Sequence, residues 1–539
     1  MTKVSHNFLR EISEMSIKSG KRFVARLLRI ILDTIVAIIG VWHPTKLRYL
    51  PPIDNRVVLK SATDLANDIK TGRLRSEEVV RAFIDRCREV QPHINAIIKN
   101  DFDNAIDEAK QVDSRIKHAI SNNESRDDNE SVLSLPFIGV PFTAKDTMYV
   151  KGMYLTAGLY TRKGIIAEKD NEIISLLRKS GAIFIAMTNV PELGMWWDSY
   201  NKLYGRTNNP YDKSRISGGS SGGEAALIAS CGSVFGVGAD IGGSIRMPCF
   251  FCGIFGHKTT PLVLDPDQVY PPPSQKRRSL LSIGPMCRYA CDLKPMLRVM
   301  AGPSAAKLEL DKPVDFKNIR FYYMESDDNP FHTPIQPEIS DAMHKVIGHF
   351  TKQGSLSRKV YFKDFKYGLE IWLCAMSDKT TYTTAQHLAN HNGEINPFKE
   401  LLKSLIGVSN HTFCALILCL TELIANSLDE KRFEEMKNNL THDLHKLLGN
   451  NGILVFPAHP QEAVKHNATL LKVWNVAYTQ LFNTLNVAIT SVPMGLTRNG
   501  LPIGVQLISS PLNDRLTIAA AEELERAFGG WVSPCQITC

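Results

Sequence analysis

Residues 216–248 read ISGGSSGGEAALIASCGSVFGVGADIGGSIRMP, and the meaning given to this run decides the fold. Two glycine-flanked serine sites, at 218–223 and 242–244, bracket a short apolar helix pattern at 224–230. Glycine beside serine lets the chain turn sharply and leaves room for a substrate carbonyl against the main chain. Consecutive backbone N–H groups in such a turn can aim at one point, which is what a developing oxyanion needs. Serine-rich glycine loops also serve as flexible linkers or phosphate cradles. Here the glycines stand among Ala, Ile, Leu, Val and Phe, the surroundings of a buried segment.

Two motif readings of the run fail on context. Gly218-Gly219-Ser220-Ser221-Gly222 matches the G-x-S-x-G nucleophile elbow, which requires a strand directly before it. Residues 208–215, NNPYDKSR, are too polar and turn-rich for that. Gly236-Val237-Gly238 resembles a dinucleotide loop, but the next glycine falls at 242, one place late, and Pro248 would break the helix that should follow.

Outward from this run the chain alternates between strand-like and helix-like segments. Ser76, Glu77 and Glu78 supply a cap and first-turn acids, and the apolar spacing from Val79 to Val90 predicts an amphipathic helix ending near Pro92. Residues 137–140 predict a buried strand ending at Pro141, and further strands are expected at 182–187, 319–323, 453–456 and 487–492. Helices are expected at 171–179 and 516–528. Alternation of this kind implies a mixed or mostly parallel sheet covered by helices. No internal repeat or clear linker interrupts it, so one α/β domain is expected. The apolar stretch 401–424 predicts core helices, with a surface pair dipping into a membrane as the alternative.

The glycine–serine residues Gly218, Gly219, Ser220, Ser221, Gly222 and Gly223, followed by Gly236, Gly238, Asp240, Gly242, Ser244, Arg246 and Pro248, resemble the amidase signature. The lysine of that family is matched by Lys145 in GVPFTAKD, residues 139–146, and the match runs on through Asn189-Val190-Pro191, GIFGHK at 253–258 and GLPIG at 500–504. The resemblance implies the amidase-signature fold: a single large α/β domain over 51–539 with a mixed twisted β-sheet covered by helices on both sides. A basic N-terminal segment and apolar helix at 1–50 would precede it.

It also implies a Ser-Ser-Lys triad: Ser244 as nucleophile, Ser220 as bridging serine on a cis peptide, Lys145 as base. The backbone N–H groups of Ile241, Gly242, Gly243 and Ser244 would hold the oxyanion, with Ser220 and Gly194 at the substrate. Ser221 would support the network, Asp240 and Arg246 would tie the loop down, and the loop PELGMWW at 191–197 would line the acyl channel. No metal or organic cofactor is required. The phrases YGRTNNPY at 204–211 and GPMCRY at 284–289 are similar to the members that cleave fatty-acid amides, implying a lipid amide substrate. Rivals are an amidase of small or peptidic amides, an amidotransferase-like glutaminase, or a catalytically dead membrane scaffold.

These roles are physically coherent. A serine hydroxyl is a poor nucleophile until a neighbour takes its proton, and lysine does so only when neutral, although its free pKa is near 10.4. The apolar flanks of Lys145 would desolvate it and lower that value, with Asp146 as an opposing charge.

Charge and composition bound the rest. Lys and Arg number 63 against 55 Asp and Glu, and four of the eight excess positive charges precede Trp42. This basic head lacks interleaved aromatics, so no nucleic-acid partner is expected. The apolar segment 30–42 behind it has no cleavage site and is expected to anchor the protein in a membrane, single-pass or monotopic, at an endomembrane or lipid droplet. A homodimer is also compatible with the sequence. The 11 cysteines have no regular spacing and are expected to be free thiols, including the Cys249-Phe250-Phe251-Cys252 pair.

Overall fold

The computed structural model describes residues 29, 31 and 50–539, apart from 126, 127 and 129. One eleven-stranded mixed sheet runs through it in the order β1-β3-β2-β6-β8-β7-β12-β13-β11-β9-β10. The strands are β1 (Ile97–Asn100), β2 (Pro141–Lys145), β3 (Ile183–Thr188), β6 (Phe235–Asp240), β7 (Phe255–Lys258), β8 (Ser282–Cys287), β9 (Arg320–Tyr323), β10 (Leu356–Lys359), β11 (Gly452–Phe456), β12 (Ala488–Leu496) and β13 (Pro502–Ser509). A separate two-stranded ribbon pairs β4 (Tyr200–Asn201) with β5 (Gly205–Arg206).

Alternation along a strand sends successive side chains to opposite faces. In β11, Ile453 and Val455 join one apolar cluster and Leu454 and Phe456 join another, so each face has its own core. Strands covered on both sides read as continuous apolar runs, as β11 (GILVF) does, and β2, β3, β6 and β13 are likewise buried along their whole length. Phe142 of β2 stacks on Phe235 of β6 at 5.8 Å and meets Phe184 of β3 edge-on at 5.6 Å, knitting together the three strands that carry the site.

Most expected elements appear, with informative exceptions. The helix Ser76–Ile94 continues through Pro92, and Ser76 is its first residue; the Ser76 hydroxyl donates to the Gly139 carbonyl while Asp113 receives its N–H. Residues 137–140 form a buried turn, and Pro141 opens β2 where it was expected to close a strand. Gly139 (φ +72°) and the bond from Val140 N–H to Phe137 O make that turn, and a proline is tolerated at a strand's first position.

The 401–424 region does not form core helices throughout. The helix Pro397–Leu405 buries none of its residues, and Phe413–Ala425 buries Ala415, Leu416, Cys419 and Ala425. Among the described residues no helix is long and apolar enough to cross a membrane. The 13 residues of Phe413–Ala425 reach about 20 Å, short of a hydrocarbon core of about 30 Å. This overturns the expected membrane location. The segment 30–42 lies outside the described residues apart from Ile31. All eleven cysteines are free thiols, and Cys249 and Cys252 are buried, bonded to the Phe255 and Ser217 carbonyls.

Candidate active site

Strand direction brings the site together. β2 and β6 are parallel neighbours, with Ala144 opposite Val237, so Lys145 and Asp240 end at the same edge of the sheet. Ligands in α/β sheets lie in the crevice beyond such carboxyl ends. Ser220 and Ser221 reach this edge from the turn before the helix Gly222–Ala229, and Ser244 from the loop between β6 and the helix Arg246–Cys252. Lys145, Ser220, Ser244, Ile241 and Gly194 all line one cavity there.

The lysine is almost wholly buried at 2% exposure. Its Nζ stands 2.9 Å from Ser220 Oγ, 3.0 Å from Ser221 Oγ and 3.3 Å from the Ala239 carbonyl oxygen. Burial lowers its pKa to about 7, against the attraction of Asp240. The expected opposing charge, Asp146, is turned elsewhere: its carboxylate accepts from the Thr156 and Gly158 N–H groups and the Thr156 hydroxyl. As the next residue after Lys145 it leaves on the other side of the strand. The Gly219–Ser220 peptide is cis, and Ser221 N–H donates to Ser244 O at 3.1 Å, tying the two serine loops together.

The loop after β6 is wound around one fully buried carboxylate. Asp240 accepts from the N–H groups of Gly243 at 2.7 Å and Ile245 at 3.1 Å, and from the Arg246 guanidinium at 3.0 and 2.9 Å. Burial alone would raise the Asp240 pKa, but Arg246 and Asn483 hold it well below the usual carboxylate range. A two-point guanidinium–carboxylate fork of this kind fixes geometry as well as charge.

Gly243 is the exception among the expected oxyanion donors, because its N–H is committed to Asp240. The N–H groups of Ile241, Gly242 and Ser244 have no hydrogen-bond partner among the described residues. Gly243 has a structural requirement of its own: at φ +112° a Cβ would lie 2.1 Å from Thr479 Oγ1.

Several contributors were not legible as site residues. Thr479 donates to Gly242 O at 2.9 Å, Trp372 Nε1 to Ile241 O at 2.8 Å, and Asn483 Nδ2 to Asp240. They come from more than 100 residues downstream, and no local pattern marks them. Glu224 did leave a signal, a lone carboxylate inside GGEAALIAS. The cavity wall, with Leu193, Met195, Tyr270, Trp372, Leu373, Met376 and Leu418, is mainly apolar.

A fold with a covered mixed sheet and paired glycine–serine loops at its strand ends has known relatives. The amidase family profile matches residues 78–518, and the chain belongs to that family; it is a hydrolase acting on amide bonds. It is 40% identical over 534 residues to fatty-acid amide hydrolase 2-A of Danio rerio, covering 97% of this chain and 99% of the relative. It is likewise 40% identical to fatty-acid amide hydrolase 2 of Homo sapiens over 90% of this chain and 92% of that one. A solved structure of a fatty acid amide hydrolase shares the fold with a TM-score of 0.69 at 21% identity, over 90% of this chain and 87% of that chain.

Proposed function

We propose that the protein cleaves fatty-acid amides, primary fatty amides and N-acyl ethanolamines, to free fatty acid and amine through Ser244, Ser220 and Lys145. The observation that carries the reading is the buried Lys145 amine, 2.9 Å from the Ser220 hydroxyl, on the floor of a cavity that also holds Ser244. With its pKa near 7, a large share of this amine is neutral at physiological pH and free to accept a proton.

Lys145 takes the proton of Ser220 as Ser220 takes that of Ser244. The Ser244 oxygen bonds to the amide carbon, and the carbonyl electron pair moves onto oxygen. That oxyanion faces the free N–H groups of Ile241, Gly242 and Ser244; one such donor contributes about 3 kcal/mol to the transition state. On collapse the C–N bond breaks and the relay returns its proton to the leaving nitrogen. Water then hydrolyses the acyl-Ser244 ester by the same relay. The similarity at 40% identity to fatty-acid amide hydrolase 2-A and the apolar wall above the serines support a long acyl chain as substrate.

The deciding experiment compares hydrolysis of oleamide, an N-acyl ethanolamine and short-chain amides by wild type and Ser244→Ala. Long-chain turnover that vanishes in the variant is expected. Preference for short amides would overturn the substrate assignment, and activity retained in Ser244→Ala would overturn the triad.

A further inference from the structure

Glu224 stands in the first turn of the helix Gly222–Ala229, and its side chain is completely buried. Its Oε2 is 2.7 Å from Thr143 Oγ1 and its Oε1 is 2.9 Å from Thr188 Oγ1. Thr143 lies two residues before Lys145 on β2, and Thr188 is the partner of Lys145 in the β2–β3 pairing. Residues two apart on a strand share a face with each other and with their cross-strand partners. The carboxyl therefore sits on the sheet face that carries the lysine. Gly236 leaves it just enough space, since a Cβ there would stand 1.9 Å from Oε2.

Counting protons distinguishes the two forms of this group. Thr143 Oγ1 is also 3.1 Å from Ser233 Oγ, and Ser233 Oγ is 2.8 Å from the Phe235 carbonyl oxygen. Each hydroxyl carries one proton. If Glu224 is a carboxylate, the two hydroxyls must serve three contacts: Glu224–Thr143, Thr143–Ser233 and Ser233–Phe235. If Glu224 is an acid, its proton goes to Thr143, that of Thr143 to Ser233 and that of Ser233 to Phe235, and all three contacts are filled. Thr188 donates to the remaining oxygen at 2.9 Å in preference to its longer contact, 3.5 Å, with the Ala144 carbonyl oxygen.

Charge agrees with the count. No lysine or arginine bonds the carboxyl among the described residues, and the charged group facing it is Lys145. Lys145 in turn faces Asp240, which is committed to Arg246. Burial pushes the Glu224 pKa up to about 8, against its two hydroxyl bonds and the attraction of Lys145.

We propose that Glu224 is held as a neutral carboxylic acid beside the triad and acts as a positioning residue. It anchors the two strands around Lys145 through Thr143 and Thr188, and being uncharged it withholds the anion that would keep the amine protonated. The second half of this role rests on Lys145 being the base.

Infrared difference spectra of wild type against Glu224→Gln near pH 7 test the acid form whether or not Lys145 is the base. A protonated-carboxyl band present in wild type and lost in the variant is expected. The acid limb of the labelling rate with a fluorophosphonate should stay within about half a pH unit of wild type. Absence of that band, or an acid limb moved down by about one unit or more, a tenfold change in the lysine equilibrium, would make Glu224 a counter-ion and overturn the proposal. Wild type that shows the band but takes no label would overturn the triad assignment and with it the role given to Glu224. Should the Gln variant not fold, Thr143→Val removes the acceptor and should move the same band to higher frequency; an unmoved band overturns the proposal.

Discussion

The floor and the outer wall of the cavity are built on opposite principles. On the floor, Lys145, Ser221, Asp240, Arg246 and Glu224 are polar yet almost entirely removed from solvent, and each is held by several partners. Outside the wall, the helix Phe413–Ala425, which lends it Leu418, and the neighbouring helix Pro397–Leu405, which does not line the cavity, carry large apolar side chains that remain in solvent: Leu402 is 67% exposed, Leu405 78% and Leu423 60%. Burial without pairing is costly for polar groups, so the floor tolerates almost no substitution. Glu192 ties down the start of the helix Phe413–Ala425, accepting from Thr412 N–H and pairing with His411. On the function proposed above, reactivity belongs to the rigid polar floor and substrate selection to the apolar wall.

Four measurements test that contrast. Ser244→Ala should lower kcat for the preferred amide by about 10⁴-fold or more, since the members of such a relay act as a unit. Asp240→Ala leaves the fully buried Arg246 without its partner and should cost about 3–5 kcal/mol in chemical denaturation. If it costs less than about 1 kcal/mol, the floor is not organised around that pair. On the wall, Leu418→Ala should lower kcat/KM for a long-chain amide by about tenfold while sparing a short one, because a few methylenes of contact are at stake. Equal loss on both substrates would put Leu418 on the floor's side of the comparison. Leu405→Ser, at a side chain already in solvent, should change stability by less than about 0.5 kcal/mol in the same denaturation assay.

The pH dependence separates the two regions as well. In the proposed relay Lys145 acts as the neutral amine, and burial has lowered its pKa to about 7 from the 10.5 of a free lysine. The labelling rate of Ser244 should therefore rise with pH through about 7 and level off above it. The same shift means that the unfolded chain binds the proton more tightly than the native one between the two values. This group's contribution to stability thus improves as pH rises from about 7 to 10.5. An acid limb centred well below 7 would mean that the amine is more desolvated than its surroundings imply.

Much of the floor was legible because its residues lie in a short, unusual run. Glycines flanking serines in an apolar context mark the stretch holding Ser220, Ser221 and Ser244, whose roles the family resemblance implies, and Asp240 and Arg246 lie within that same run. The neighbours that complete it were not legible: Thr479, Asn483 and Trp372 reach the loop only because distant chain packs there. The commitment of Gly243 to Asp240 was equally hidden, since which N–H a carboxylate takes depends on the path of the turn. The misplaced strand at 137–140 and the exposed helix Pro397–Leu405 share one cause. Apolarity marks a segment that has something to cover, without saying whether the rest of the fold covers it.

The linear order of residues was enough to give the family and its amide-bond hydrolase class, because the glycine–serine run, Lys145, Asp240 and Arg246 stand at fixed positions along the chain. The state of that chemistry was decided by tertiary structure. Parallel pairing of β2 with β6 sets the amine against the serines. Burial from every side then strips it of water, and desolvation depends on all the atoms around a group and not on its neighbours along the chain.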